Sequence, residues 1–300
     1  MFDVILPTYN NLDELKSCLK GFSEQTLRDY NVIICIDGST DGTIEYLKTA
    51  EYNFDFKYIQ HPANEHRGRN ETRNLSLTYI TSEFLLLFDT DIIPDKNLLQ
   101  KHFDLLQSRD CISNGDVIYK NTNQNVWALY LKSRGKGKYA DRSEIPHYYL
   151  NTQNVSFRSE YFLILKGQDP DLSKNYGGDD TILGYRMGRD FNLPVIFNKT
   201  AIGYSTLDKN LNTALNQMRE FGAVNLKLIR KKYPEFRQIF RFDIVESKLL
   251  RHRLIRFFIS DKIARLLPFF IQFAPAGIKI KIVHFLVFLY IYKGYKTGEY

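Results

Sequence analysis

The 300 residues, 44% hydrophobic and 25% charged, have the composition of a globular protein with room for one large domain or two ordinary ones. Three cysteines, Cys18, Cys35 and Cys111, are odd in number and outside any CxxC spacing, which excludes a disulfide framework and a zinc knuckle and points to a reducing compartment. A net charge of +7 favours an anionic partner (nucleotide, phospholipid or nucleic acid) without naming one.

The aromatic share of 14% is high, and points to surfaces that touch sugars, bases or lipid as well as to core. The opening "MFDVILPTYN" lacks the basic-then-apolar layout of a signal peptide and reads as a strand from residue 2, so a cytoplasmic protein is expected. Three further short apolar runs read as buried strands: "VIICI" (32–36), "FKYI" (56–59) and "FLLLF" (84–88). Between "FDVIL" (2–6) and "VIICI", Asn11 is a candidate N-cap with Glu14 three residues on. Leu12, Leu15, Leu19 and Phe22 then share one helical face. Strand–helix alternation of this kind predicts an α/β fold with a mostly parallel central sheet and helices on both faces. Ligands of such sheets bind beyond the carboxyl ends of the strands, where "FLLLFDTDIIPD" sets down Asp89 and Asp91. Two oxygen ligands at a strand tip suit a hard cation such as Mn²⁺ or Mg²⁺ gripping a diphosphate. An acidic turn is the competing reading, and Asp95, just before "KNLL", fits capping duty better than either of them.

Residues 109–206 are less regular. The basic stretch "KSRGKGKYADR" (132–142) reads equally as a mobile substrate loop or a solvated linker, and "GGDDTILGYRMGRD" (177–190) starts with turn residues and acids before turning helical. From about 207 the pattern is amphipathic helix, and beyond it the chain grows both basic and greasy. Its uncharged runs, 282–292 and 266–278, fall short of the roughly 20 apolar residues that span a bilayer. Aromatic and aliphatic residues interleaved with Lys and Arg favour a segment lying on an anionic membrane surface over a helical subdomain packed on the core or on a partner. Nucleic acid is disfavoured, because the basic residues mix with aliphatics and form no continuous groove signature.

"VILPTYNN", "IDGSTDGT", "GRNETRN" and the DTD strand, in this order and spacing, resemble the nucleotide-binding half of family 2 glycosyltransferases, which have the GT-A fold. "NTQNVSFRSEYFLILKGQDPDLSKNYGGDDTILGYRM" resembles their acceptor half, in the form carried by galactosyl- and N-acetylgalactosaminyl-transferases with a GG-acid-acid element. The resemblance covers residues 1–206, with 1–108 as the nucleotide-binding half and 109–206 as the acceptor half. Residues 207–300 stand outside it as a helical, basic-amphipathic region.

The resemblance implies an inverting, metal-dependent transfer of a hexose or N-acetylhexosamine from a UDP-sugar. The basic and greasy C-terminal region adds the expectation of a lipid-linked oligosaccharide or a surface polysaccharide as acceptor, and of a place on the inner face of the cell membrane. Pro7 and Tyr9 would line the uracil pocket, and Asp37 would accept from the uracil imide. Arg73, in place of the arginine of the family's "ARN" element, would lie near the nucleotide, with Arg67 and Arg69 adding positive charge. Asp91 would coordinate the metal, with Asp89 supporting it and touching ribose or sugar. Asp180 would be the catalytic base and Asp179 would orient sugar or acceptor. Gln153, Asn154 and Gly178 would contact donor sugar or acceptor. One departure concerns the metal: Ser205 stands where related enzymes often place a third ligand, a His. The alternative reading is a non-catalytic sugar-nucleotide or glycan-binding scaffold with the same fold.

Overall fold

The computed structural model describes residues 1–134, 138–205, 209–237, 239, 267, 270, 271 and 273–298. The centre of the basic loop at 132–142 and the basic stretch at 249–258 therefore lie outside the described residues. The chain forms two compact units, one of residues 1–120, 135–174 and 179–207, the other of 121–134, 175–178 and 208–300.

Among the described residues, nine strands of the first unit form one sheet. They are β1 (Phe2–Thr8), β2 (Tyr30–Ile36), β3 (Asp55–Gln60), β4 (Phe84–Phe88), β5 (Ile92–Pro94), β6 (Ile112–Tyr119), β7 (Glu144–Ile145), β8 (Asn154–Arg158) and β9 (Val195–Ser205). Their order is β3-β2-β1-β4-β8-β6-β9-β5, with β7 on β9. The run β3-β2-β1-β4 is parallel, as the strand–helix alternation predicts. β8 then inserts antiparallel between β4 and β6, which the alternation did not foretell.

The apolar runs of β1, β2 and β4 are unbroken because both faces of these strands are buried. Val4, Leu6, Val32, Ile34, Leu86 and Phe88 face one core with Leu15, Leu19 and Phe22 of helix α1 (Leu12–Ser23). The alternate residues Ile5, Ile33, Cys35, Leu85 and Leu87 face a second core with Phe162, Leu183 and Met187. All three cysteines are buried free thiols.

Asn11 precedes α1 but does not cap it through its side chain. Its Oδ1 instead accepts from Thr8 Oγ1, and its Nδ2 donates to Thr90 Oγ1 at 2.7 Å, tying the ends of β1 and β4 together. Asp41 takes the capping role, accepting from the Leu12 N–H at 2.9 Å. Asp95 does the turn duty read from the sequence, accepting from the Asn97 N–H at 3.0 Å.

The first unit also contains α2 (Thr43–Leu47), α3 (Arg69–Asn74) and α4 (Leu98–Ser108). In the second unit, α5 (Val126–Ser133) is followed along the chain by α6 (Ser159–Ile164) and α7 (Asp179–Phe191) of the first. The second unit then resumes with α8 (Leu211–Ala223), α9 (Asn225–Lys232) and α10 (Ala276–Thr297). α10 buries Val283, Leu286, Leu289 and Tyr292 and packs on α8 and α5. The α8–α10 crossing is tight: a Cβ on Gly222 would come within 2.0 Å of the Ile291 carbonyl oxygen, and one on Gly294 within 1.9 Å of that of Arg219. One face of this helix is thus taken up by packing within the second unit. No described helix is long and apolar enough to cross a membrane.

Candidate active site

The carboxyl ends of β1, β2 and β4 gather the first group of expected residues. At β4, the FLLLF run is fully buried, Asp89 is half-buried and Asp91 exposed. Asp89 is held from two sides. Arg73 Nη2 of α3 pairs with its Oδ1 at 2.5 Å, and its backbone N–H donates to the Gln153 carbonyl at 3.3 Å. Between the two acids, Thr90 Oγ1 donates to the Pro7 carbonyl at 3.1 Å, which fixes the end of β1 against the tip of β4.

Arg73 departs from its expected place. It is fully buried, its Nη1 donates to Gln168 Oε1 at 3.1 Å, and it presents no surface to a ligand. Its effect on a nucleotide runs through Asp89. Asp37 is also buried, at 4% exposure, and its carboxylate already accepts from the backbone N–H groups of Arg67 (2.7 Å) and Gly68 (3.0 Å). Tyr9 is half-exposed and stacks on the ring of His66, with centroids 4.2 Å apart and planes at 27°.

The second group lies where β8 begins. Gln153, half-buried, accepts from Tyr119 Oη at 3.3 Å and from Asn151 Nδ2 at 3.0 Å. Its neighbour Thr152, which sequence reasoning did not single out, is fully buried and donates to Asp180 Oδ1 at 2.5 Å. Two consecutive residues thus join the two acid pairs: Gln153 holds Asp89 and Thr152 holds Asp180. Asp179 and Asp180 open α7, where the helix dipole favours negative charge. Burial, and then the charge of Asp179, pushes the Asp180 carboxyl up to about 6 against the opposing pull of the Thr152 hydrogen bond. A carboxylate of that pKa takes up and releases a proton near neutral pH, as general-base work requires.

Asn154 does not serve this site. It is 1% exposed, its Oδ1 accepts from His102 Nε2 at 2.9 Å, and its Nδ2 donates to the Asp116 and Ala201 carbonyls at 3.0 and 2.9 Å. It is a core residue joining β8, β6 and β9, and burial lowers its partner His102 to about 4, leaving that imidazole neutral. Gly178 has a packing reason to be glycine. It sits at φ +88°, and a Cβ there would come within 2.4 Å of Ile229 Cδ1 in the second unit.

Among the described residues, no three His, Cys, Asp or Glu side chains are grouped so that they could hold a metal ion. Ser205 is buried and pairs with Ile92, the residue after Asp91, so it closes the strand beside the acid pair without adding an imidazole. Hard oxygen donors are present in Asp91 and Asp89, which fits a cation of the Mg²⁺ type, commonly bound by one or two carboxylates plus substrate phosphates and water.

Residues 3–165, more than half of the chain, match the sequence profile of glycosyl transferase family 2. The chain belongs to that family. This family 2 glycosyltransferase is 32% identical over 100 residues to the uncharacterized glycosyltransferase YfnE of Bacillus subtilis, covering 33% of this chain and 25% of the relative. It spans between a quarter and about a third of the length of the first curated relatives it matches. Among solved structures it is similar to a mannosyltransferase of Pyrobaculum calidifontis determined with GDP-Man and Mn²⁺, at 16% identity. That match has a TM-score of 0.61 and covers 99% of this chain and 87% of the other. It is also similar to residues 1–349 of S. aureus TarS in complex with UDP-GlcNAc, at 15% identity. Here the TM-score is 0.58, and 100% and 92% of the two chains are covered. These likenesses establish the GT-A fold for this glycosyltransferase.

Proposed function

We propose that the chain transfers a hexose or N-acetylhexosamine from a UDP-sugar to a hydroxyl of a glycan acceptor, a lipid-linked oligosaccharide or a surface polysaccharide, with inversion at the anomeric carbon. The observation that carries this reading is the Thr152–Gln153 bridge, which sets a carboxyl of pKa about 6 beside the strand-end acids. In the proposed step Asp180 accepts the proton of the acceptor hydroxyl as the oxygen bonds to the anomeric carbon. The bond from that carbon to the diphosphate oxygen breaks on the opposite face, and its electron pair leaves with UDP. In this reading Asp179, next to the base, orients sugar or acceptor, and Gln153 meets a sugar hydroxyl.

Asp91, supported by Asp89, would hold the divalent cation, which when bound stabilises charge on the departing diphosphate. The fold neighbours, one solved with Mn²⁺ and one with UDP-GlcNAc, support this choice of ligands. Released UDP measured across a panel of UDP-sugars with Mn²⁺, with and without lipid extract, tests the activity. Asp91→Ala is expected to abolish turnover while moving stability by no more than about 0.5 kcal/mol, because the side chain is exposed. Full turnover of the wild type in excess EDTA would defeat the metal assignment. Donor binding without any turnover would instead mark a non-catalytic scaffold.

We further propose that the second unit meets an anionic lipid surface at the start of α10. Phe270, Phe273 and Ile278 are 55%, 75% and 50% exposed there, with Lys279 and Lys281 beside them. Such a pairing of exposed apolar and basic side chains is the usual layout of an interfacial contact. Full-length protein should co-sediment with anionic vesicles at low salt, and Phe273→Ser combined with Ile278→Ser should release it. Failure of the wild type to co-sediment would leave this surface with no role at lipid.

A further inference from the structure

Residues 61–68 fold back over the end of β2. A Cβ on Gly38, at φ +76°, would stand 2.8 Å from the Asn64 carbonyl oxygen and 2.9 Å from the His66 nitrogen, so only glycine lets the segment lie this close. Asn64 Nδ2 fastens it by donating to the Ser39 carbonyl at 3.0 Å.

The donors around Asp37 can be assigned one by one. Oδ1 accepts from the backbone N–H groups of Arg67 and Gly68, at 2.7 and 3.2 Å, and Oδ2 accepts from Gly68 at 3.0 Å. The remaining close donor is a side chain, His66 Nδ1, which donates to the Asp37 backbone carbonyl at 3.2 Å and lies 3.0 Å from Oδ2 of the carboxylate. A carbonyl oxygen only accepts, so this nitrogen carries the proton. His61 Nε2 is farther away, 3.7 Å from Oδ1, and lies 2.9 Å from Thr72 Oγ1. Backbone amides cannot leave without unfolding the segment, whereas the His66 side chain is 54% exposed and can turn into water. The same imidazole lies flat on Tyr9 at 4.2 Å.

His66 therefore occupies the place expected of a uracil: its ring stacks on Tyr9, and its ring N–H sits against Asp37, bonded to the backbone carbonyl and 3.0 Å from the carboxylate. We propose that His66 is a resident surrogate for the nucleobase, which the uracil must displace, so that this residue sets nucleotide affinity and base selectivity. The inference rests on the reading of Tyr9 and Asp37 as the base subsite. A base takes the seat only if it returns a donor to the carboxylate. Uracil does so with its imide N–H, while cytosine would turn a lone pair toward Asp37. Displacing an occupant that holds the seat most of the time weakens apparent binding by the fraction of time the seat is open.

The test is calorimetric titration of UDP and CDP into the full chain and into His66→Ala, His66→Phe and Tyr9→Ala, with melting curves to confirm folding. His66→Ala is expected to tighten UDP binding by about 3- to 10-fold, the gain from a seat otherwise open 10–30% of the time. His66→Phe keeps the stack, loses the N–H and should fall between. Wild type should prefer UDP to CDP. Weaker UDP binding in His66→Ala would overturn the proposal by making the imidazole a wall of the subsite, and unchanged binding would overturn it by placing the base elsewhere. The subsite reading fails separately: UDP affinity in Tyr9→Ala equal to wild type would remove it whatever His66 does.

Discussion

Asp180→Asn is expected to lower turnover by about 10²-fold or more, the usual scale for loss of a general base, with little change in UDP-sugar affinity. In the proposed reaction the base contacts acceptor rather than nucleotide, which is why the two quantities should separate. Asp179→Asn should do the opposite, weakening substrate binding while keeping more of the rate. The pH profile gives an independent reading. Burial, followed by the Asp179 charge, raises the Asp180 carboxyl to about 6, so the active, deprotonated form is lost as pH falls through that value. The rate should climb through pH 6 to a plateau above it. Neutralising Asp179 removes a charge that raises the pKa, so in Asp179→Asn the acid limb should move to lower pH. Thr152→Val removes a hydrogen bond that lowers it, so there the limb should move to higher pH. Rate constants, donor dissociation constants and pH profiles for the three variants check all of this. Near-wild-type turnover in Asp180→Asn together with a dead Asp179→Asn would place the base one residue earlier.

Arg73→Met is expected to be the most destabilising single change in the site. The guanidinium is fully buried, and its removal strands the Asp89 carboxylate, itself only 13% exposed, and the Gln168 side-chain oxygen. Breaking a buried pair by deleting one partner costs about 3–5 kcal/mol. At roughly 2–4 °C per kcal/mol, the melting temperature should fall by about 6–20 °C. Arg73→Lys restores charge without the planar fork that reaches two acceptors and should recover only part of the loss. Pairing Arg73→Met with Asp89→Asn removes the stranded charge, so the double variant should be less destabilised than the sum of the single ones. An unchanged melting curve for Arg73→Met would show that the pair contributes nothing to the fold.

Local pattern made much of this protein legible. Four apolar runs marked β1 to β4, and because β1, β2 and β4 are buried on both faces their hydrophobicity needs no partner to be recognised, while β3 at the sheet edge is only partly buried. The acids at the tip of β4, the glycines before Asp179 and the helical spacing after it are also properties of neighbours in sequence. Each reflects a cost paid within a few residues of itself: charge has no place inside a strand, and positive φ asks for glycine.

What sequence alone did not show depends on contacts between distant segments. Asn11 carries the signature of a helix cap, yet the tip of β4, 79 residues on, offers its amide a better partner in Thr90. Asn154 looks like a sugar ligand until β8 is placed between β4 and β6, where its amide meets His102, 52 residues away. Arg73 finds Gln168 at a separation of 95 residues, and Thr152 finds Asp180 at 28. Residues 1–300 by themselves determined the strands of the parallel half and the chemical types at its edge. The tertiary structure decided which polar side chains face the site and which are consumed by the core. A hydrogen-bonding side chain has the same sequence signature in either role, and only the strand order settles whether its partner is protein or ligand.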